Sequence, residues 1–289
     1  MKPAAFEYER PGTVDEALAF LDRRGDSAKV LAGGQSLIPM MNLRLVQFGC
    51  LIDIGRLESL RGIESADGVL HIGAMTTHNT LLNSPTIAQA CPLIAEAYHE
   101  VAHHSVRNRG TLGGSLCHND PASEMPLIMS VLGATMVVQS SNGQRQIPVE
   151  EFLQGDFTTA LEPNELLVAI TLPVPPKPHG YAFLEVAQRK GDFALVACAA
   201  LLEVRDHLCR NVRIGYRNIG CDTVRLPVVE AMIEGRAPTA EVIAEAADAA
   251  AEASDPPADL HATSDYRRQL VRVLTQRVLA RSVDRAVAS

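Results

Sequence analysis

The six cysteines of this 289-residue chain (Cys50, Cys91, Cys117, Cys198, Cys209 and Cys221) form no C-x-x-C pair and no four-cysteine spacing. That removes the usual ligand set of an iron–sulfur cluster or a structural zinc. Isolated thiols are also not the frame of a secreted disulfide scaffold. No stretch reaches the about eighteen uninterrupted apolar residues of a membrane span. Met1 to Arg10 contains no apolar core of a secretory signal, so a cytoplasmic chain is expected. Positive charge is in short supply. Lys and Arg number 26 against 34 Asp and Glu, and the net charge of −8 argues against a nucleic-acid groove. What remains is an ordinary globular composition, 47% apolar and 21% charged. The length suits about two domains, which need no staple to fold.

Local signals place the elements. Thr13 and Glu16 form a capping box, Val14, Ala17, Leu18 and Leu21 make one stripe, and Gly25 suits a C-cap. Short strands are read at Lys29 to Leu31, Leu51 to Ile54 and Val69 to Ile72. Pro92 suits the first turn of a helix predicted to run to about His103. Met136 to Gln139 and Arg145 to Val149 alternate around Ser141-Asn142-Gly143, a hairpin signal. Four prolines between Pro173 and Pro178 can continue neither a helix nor a central strand, and mark a domain boundary. Beyond it, Ala194 to Val204 and Val212 to Tyr216 read as an antiparallel pair around Arg205-Asp206-His207. Helices follow at Thr239 to about Ala253 and from Ser264. The last carries Arg267, Arg268, Arg272, Arg277, Arg281 and Arg285, and reads as an amphipathic helix packed on its own domain rather than a membrane-surface one. Helices that follow strands, without strict alternation, predict an α+β fold.

Two glycine loops carry the chemistry. Ala32-Gly33-Gly34-Gln35-Ser36 and Thr111-Leu112-Gly113-Gly114-Ser115 each end an apolar run with a Gly-Gly pair and a small polar residue. Consecutive glycines can aim several backbone N–H groups at one anion and let a pyrophosphate approach the backbone. A β-branched residue at Gly114 is expected to block that approach and to disfavour a positive φ there. Either loop alone also fits a plain tight turn; the two together suggest one diphosphate. No G-x-G-x-x-G and no G-x-x-x-x-G-K-[ST] is present, which excludes the Rossmann and Walker A arrangements. His99-Glu100-Val101-Ala102-His103 matches H-E-x-x-H, with both histidines on one face of the expected helix. Val106 occupies the place of the metzincin glycine, although Glu124 is spaced as a third ligand would be. A zinc peptidase is therefore the alternative from another class.

In this order and spacing, the two loops and Arg189-Lys190-Gly191-Asp192-Phe193-Ala194 resemble the medium, FAD-binding subunits of molybdenum hydroxylases, the xanthine dehydrogenase and carbon monoxide dehydrogenase family. The resemblance covers essentially the whole chain. It implies a two-subdomain FAD-binding fold of the vanillyl-alcohol-oxidase/PCMH type over 1–175 (subdomains about 1–57 and 58–175). A smaller α+β domain of the CO dehydrogenase flavoprotein type would occupy 176–289. The family places the FAD pyrophosphate at Ala32, Gly33, Gly34, Gln35 and Ser36 and at Thr111, Gly113, Gly114 and Ser115. Val101 and Leu167 match flavin-lining positions. Glu124 stands where an aspartate is usual, and Phe193 where a tyrosine often lies near the isoalloxazine ring. Lys190 and Asp192 belong to the same motif and read equally as turn residues. The implied partners are a large molybdopterin–molybdenum subunit and a small subunit with two [2Fe–2S] clusters, arranged as a dimer of heterotrimers. The implied role is an oxidoreductase subunit passing electrons from those clusters through FAD to an external acceptor. N-heteroaromatic substrates are suggested by Gln35 and the Arg107-Asn108-Arg109-Gly110-Thr111 context, with carbon monoxide as the alternative. No catalytic residue and no metal ligand is assigned to this chain.

Overall fold

A computed structural model describes residues 1–220 and 224–288; Cys221 lies outside the described residues. Two compact units are resolved. The first comprises Met1–Thr86, His103–Asn119 and Thr135–Leu172; the second comprises Ile87–Ala102, Asp120–Ala134 and Pro173–Ser289.

The first unit opens with the helix Val14–Arg24. Thr13 accepts the Glu16 N–H, Glu16 accepts the Gly12 N–H at 2.7 Å, and Gly25 closes the end at φ +52°. Ala17, Leu18 and Leu21 are buried with Ile52, Ile54, Leu166 and Val168, each large apolar side chain stabilising by about 2 kcal/mol. Cys50–Asp53 is the middle strand of a parallel sheet between Glu7–Glu9 and Ala28–Leu31. A second sheet has the order Ile63–Ala66, Val69–Gly73, Leu166–Pro173, Thr135–Ser140, Gly143–Pro148. The hairpin forms, with its turn at Ser141 and Asn142, one residue earlier than an Asn-Gly centre. Gly143 pairs with Ser140 at φ +129°, and the Ser140 hydroxyl accepts the Asn142 N–H.

The second unit is built on Gly180–Ala187, Ala194–Arg205 and Leu208–Arg217, an antiparallel sheet. The central strand is buried from Ala194 to Glu203, because helices cover both sides. Cys198, Ala200 and Leu202 lie in one apolar cluster with Val271, Leu274 and Val278 of Ser264–Ala288. The helix Glu124–Leu132 packs on the same sheet, where a Cβ at Gly215 would meet Leu127 and Val131. The helix expected from Thr239 runs over Ala240–Ala253, with Thr239 as its cap. The arginine-rich helix is tied into its unit: Arg267 is 1% exposed and donates to the Leu195 carbonyl and Asp259, while Arg285 reaches Glu96 at 2.6 Å. Among the described residues no helix is long and apolar enough to cross a membrane.

One expected helix is shorter. Pro92–Tyr98 stops before the H-E-x-x-H segment, Ala102 takes φ +46°, and His103 is extended as the N-cap of His104–Arg107. Two histidines that face one way need an unbroken helix between them. That break removes the zincin geometry, and among the described residues no three His, Cys, Asp or Glu side chains gather as a metal site.

Candidate functional site

Within the first unit the two glycine loops meet. An added β-carbon at Gly33 would stand 2.2 Å from the Arg109 carbonyl oxygen, and one at Gly114 would lie 3.6 Å from the Ala32 side chain. Gly34 takes φ +73°, a left-handed conformation that glycine adopts without strain. It turns the chain from the strand Ala28–Leu31 into the helix Leu37–Asn42. The Gln35 amide folds back to the Gly33 carbonyl at 3.1 Å. Among the described residues nothing accepts from the backbone N–H groups of Gly33, Gly34, Gln35 and Ser36. Gly33, Gly34 and Gln35 line a cleft of about 350 Å³ whose walls include Leu31, Ile38, Asp53 and Arg109.

The second loop is spent differently. Leu112 N–H donates to Thr76 O at 3.1 Å, Gly113 N–H to Ala74 O at 2.9 Å, Gly114 N–H to Thr111 Oγ1 at 3.1 Å and Ser115 N–H to Thr111 O at 3.0 Å. Gly114 is helical, within Leu112–His118, whereas Gly34 takes a positive φ. The glycines here serve close packing: a Cβ at Gly113 would stand 2.7 Å from Ala74. A diphosphate needs donors without partners and a backbone it can reach. The first loop offers donors without partners beside a cleft. Leu167, also in this unit, is 3% exposed and paired with Val138 in the sheet.

Val101, Glu124, Lys190, Asp192 and Phe193 lie in the second unit. Val101 is buried, and Glu124 is 6% exposed at the first turn of Glu124–Leu132. Burial pushes the Glu124 carboxyl up to about 7, with Asp120 and Glu100 adding to the rise and its own backbone N–H opposing it. Lys190 pairs with Glu100 at 3.3 Å. Asp192 donates its N–H to Arg189 O in a turn through Gly191 at φ +85°, and the Phe193 ring is 66% exposed.

Three further residues stand at these places. Glu185 is pushed up to about 8, first by burial and then by Glu124 and Glu100, with Lys190 opposing. Asn119, at φ +45°, ends the second-loop helix and donates from its side chain to Gly155 O and Thr158 O at 2.6 and 3.1 Å. Arg109 lines the cleft. Its place beside the second glycine motif was visible in the sequence, but its approach to Gly33 comes from pairing segments far apart in the chain.

Comparison with known proteins identifies the family. Residues 4–175 match the family described as the FAD binding domain in molybdopterin dehydrogenase, and residues 181–282 match the CO dehydrogenase flavoprotein C-terminal domain. The chain is 38% identical to the 6-hydroxypseudooxynicotine dehydrogenase complex subunit alpha of Paenarthrobacter nicotinovorans, covering 99% of this chain and 97% of that one. It is also 38% identical to caffeine dehydrogenase subunit beta of a Pseudomonas species, over 99% and 98%. Among solved structures, a carbon monoxide dehydrogenase chain from Hydrogenophaga pseudoflava superposes with a TM-score of 0.96 at 38% identity, covering 99% of both. Full-length identity at this level, with both halves matched in order, carries the whole fold and not a motif alone: the chain belongs to the FAD-binding medium subunits of the molybdenum hydroxylase family.

Proposed function

We propose that this chain is the FAD-carrying electron-transfer subunit of a molybdenum hydroxylase, receiving electrons from [2Fe–2S] clusters of a small partner and passing them to an external acceptor. When bound, FAD supplies the exchange between single-electron and two-electron transfer. The observation that carries the reading is the row of N–H groups from Gly33 to Ser36 without acceptors, in a chain of this family. In this reading those groups, with the Ser36 hydroxyl, hold the diphosphate. Ala32 and, in the second loop, Thr111, Gly113, Gly114 and Ser115 complete the diphosphate site. Val101 and Leu167 supply apolar surface, Phe193 offers an aromatic face, and Glu124 offers a buried carboxyl raised by that burial. Lys190 and Asp192 set the turn that carries Phe193. The proposed domains are 1–175 for FAD, in subdomains 1–57 and 58–175, and 176–289.

The relatives named as a complex subunit and as a medium chain support large and small partners, and we place the chain in a cytoplasmic dimer of heterotrimers with molybdopterin in the large one. An N-heteroaromatic substrate for the complex is favoured by the caffeine dehydrogenase relative; carbon monoxide is the second reading, favoured by the TM-score of 0.96. Acid precipitation of the purified assembly is the test. It should release a yellow chromophore identified as FAD, about one per copy of this chain. Flavin retained on the precipitate, FMN in its place, or no flavin would each sink the reading. Bleaching of that flavin by an N-heteroaromatic compound or by carbon monoxide then separates the two substrates.

A further inference from the structure

The helix Leu37–Asn42 leads out of the first glycine loop, and its far end is strained. Leu45 N–H donates to Met40 O at 2.9 Å and Arg44 N–H to Met41 O at 3.0 Å. Such a pair of bonds ordinarily puts a glycine in the left-handed position and packs the next apolar side chain back on the helix. Neither holds here. Arg44 takes the left-handed position at φ +59°, where a β-carbon is strained. Leu45 stands 69% exposed instead of packing back, and Leu43 is 52% exposed. One exposed leucine needs no explanation. Two of them around a strained, exposed arginine add nothing to the core, and strain kept without a packing gain points to function. Charge narrows what the function is. From Ser27 to Ile52 there is no Asp or Glu, and the charged residues are Lys29 and Arg44, in a chain of net charge −8. Among the described residues Arg44 has no carboxylate within ion-pair distance. Lys29 is exposed as well and stands 5.8 Å from the centre of the Phe48 ring. Leucines beside uncompensated positive charge suit a protein partner with an apolar pocket and carboxylates at its rim. Position narrows it further. Asn42 lines the cleft beside the first loop, and the exposed segment starts at the next residue.

From this we infer that Leu43, Arg44 and Leu45 are where the small iron–sulfur subunit docks, through an apolar pocket rimmed by carboxylates. This rests on the electron-transfer reading above and adds where the electron donor sits. Of the two partners, the small one must come closest to the flavin, because it hands the electrons over. The large one can stand behind it. The helix Leu37–Asn42 spans about 9 Å at the usual rise per residue. A donor seated at its far end is therefore held at a short, fixed distance from the loop proposed to hold FAD.

The test uses the full assembly with a photoreactive benzophenone amino acid in place of Leu45 or, separately, of Leu43. Irradiation should join this chain to the small iron–sulfur chain from at least one of the two positions. Links only to the large chain, links only to a second copy of this chain, or no link would overturn the inference. Two variants of Arg44 separate docking from folding. Arg44→Gly removes the charge and relieves the backbone, so the chain should resist heat better than wild type. On dilution it should nevertheless release the small chain at an assembly concentration about tenfold higher. Arg44→Glu should release it at a higher concentration still. Both variants should keep the wild-type flavin absorbance per protein. Wild-type release of the small chain in both would overturn the docking role. Loss of flavin in step with loss of the small chain would overturn it too, by showing a change in fold. A wild-type assembly without flavin defeats the electron-transfer reading itself, and shows before any irradiation.

Discussion

Gly33 and Gly34 are adjacent, yet they are glycines for different reasons. At Gly33 a β-carbon would stand 2.2 Å from a backbone carbonyl oxygen, so something in the main chain must move. At Gly34 the nearest atoms are flexible side-chain carbons at 3.1 and 3.3 Å, and the obstacle is φ +73°. Gly33→Ala is therefore expected to separate the two loops and lose most FAD, read as flavin absorbance per protein. Gly34→Ala should keep a measurable share of flavin while costing about 1 kcal/mol in a urea titration. Equal flavin contents in the two variants would contradict this division.

Titration adds a second test at the same scale. Glu124 and Glu185 are raised in the fold to about 7 and about 8 from an ordinary 4.5. The folded chain then holds protons that the unfolded chain releases, so their stabilisation is complete below about pH 4.5 and disappears as pH rises through 7 and 8. His78 works in the opposite sense. Burial, with Arg107 adding, lowers it to about 4, so its contribution is complete above its ordinary 6.5 and is lost as pH falls toward 4. Thermal unfolding from pH 5 to 8 should show stability falling more steeply in wild type than in Glu124→Gln or Glu185→Gln. If both variants keep the wild-type slope, neither carboxyl is raised. None of these shifts is legible in the sequence, because each depends on what tertiary packing excludes from water.

Elements whose ends are decided locally could be read directly. Thr13, Glu16 and Gly25 bound Val14–Arg24, and Thr239 caps Ala240–Ala253, through hydrogen bonds spanning only a few residues. Both glycine loops were visible for the same reason. The ending of Pro92–Tyr98 was not, since the H-E-x-x-H residues suit a helix and only the backbone reversal at Ala102 stops it. Nor was the difference between the loops, because Ala74 and Thr76, which accept from Gly113 and Leu112 of the second loop, lie more than thirty residues away. The C-terminal helix shows the same limit. Its arginines look alike in sequence, yet Arg267 is buried while Arg281 is 48% exposed. Arg267→Ala would leave the Leu195 carbonyl and Asp259 without a guanidinium. The expected cost is about 3 kcal/mol, at the low end for a buried pair because Asp259 is partly solvated. Arg281→Ala should change the urea midpoint little. Similar midpoints for the two would mean that Arg267 does not hold the helix on the sheet.

At the scale of the whole molecule, what this chain can do alone is set by the redox groups it can hold. Its described cysteines sit apart from one another. Burial pushes the thiols of Cys91 and Cys117 up to about 12 and raises those of Cys198 and Cys50 as well. A thiol must become a thiolate to bind iron, and these groups resist ionisation. The first loop, in contrast, presents donors suited to a diphosphate. The isolated chain should therefore bind FAD and be bleached by dithionite, a reductant needing no protein partner, yet remain yellow when mixed with the substrate of the complex. Adding the small iron–sulfur chain alone should leave it yellow. Adding both partners should bleach it at a rate that follows substrate concentration. Anaerobic stopped-flow absorbance separates these cases. Substrate-driven bleaching of the chain alone would contradict an electron-transfer role, and failure of dithionite to bleach it would place the flavin somewhere other than this chain.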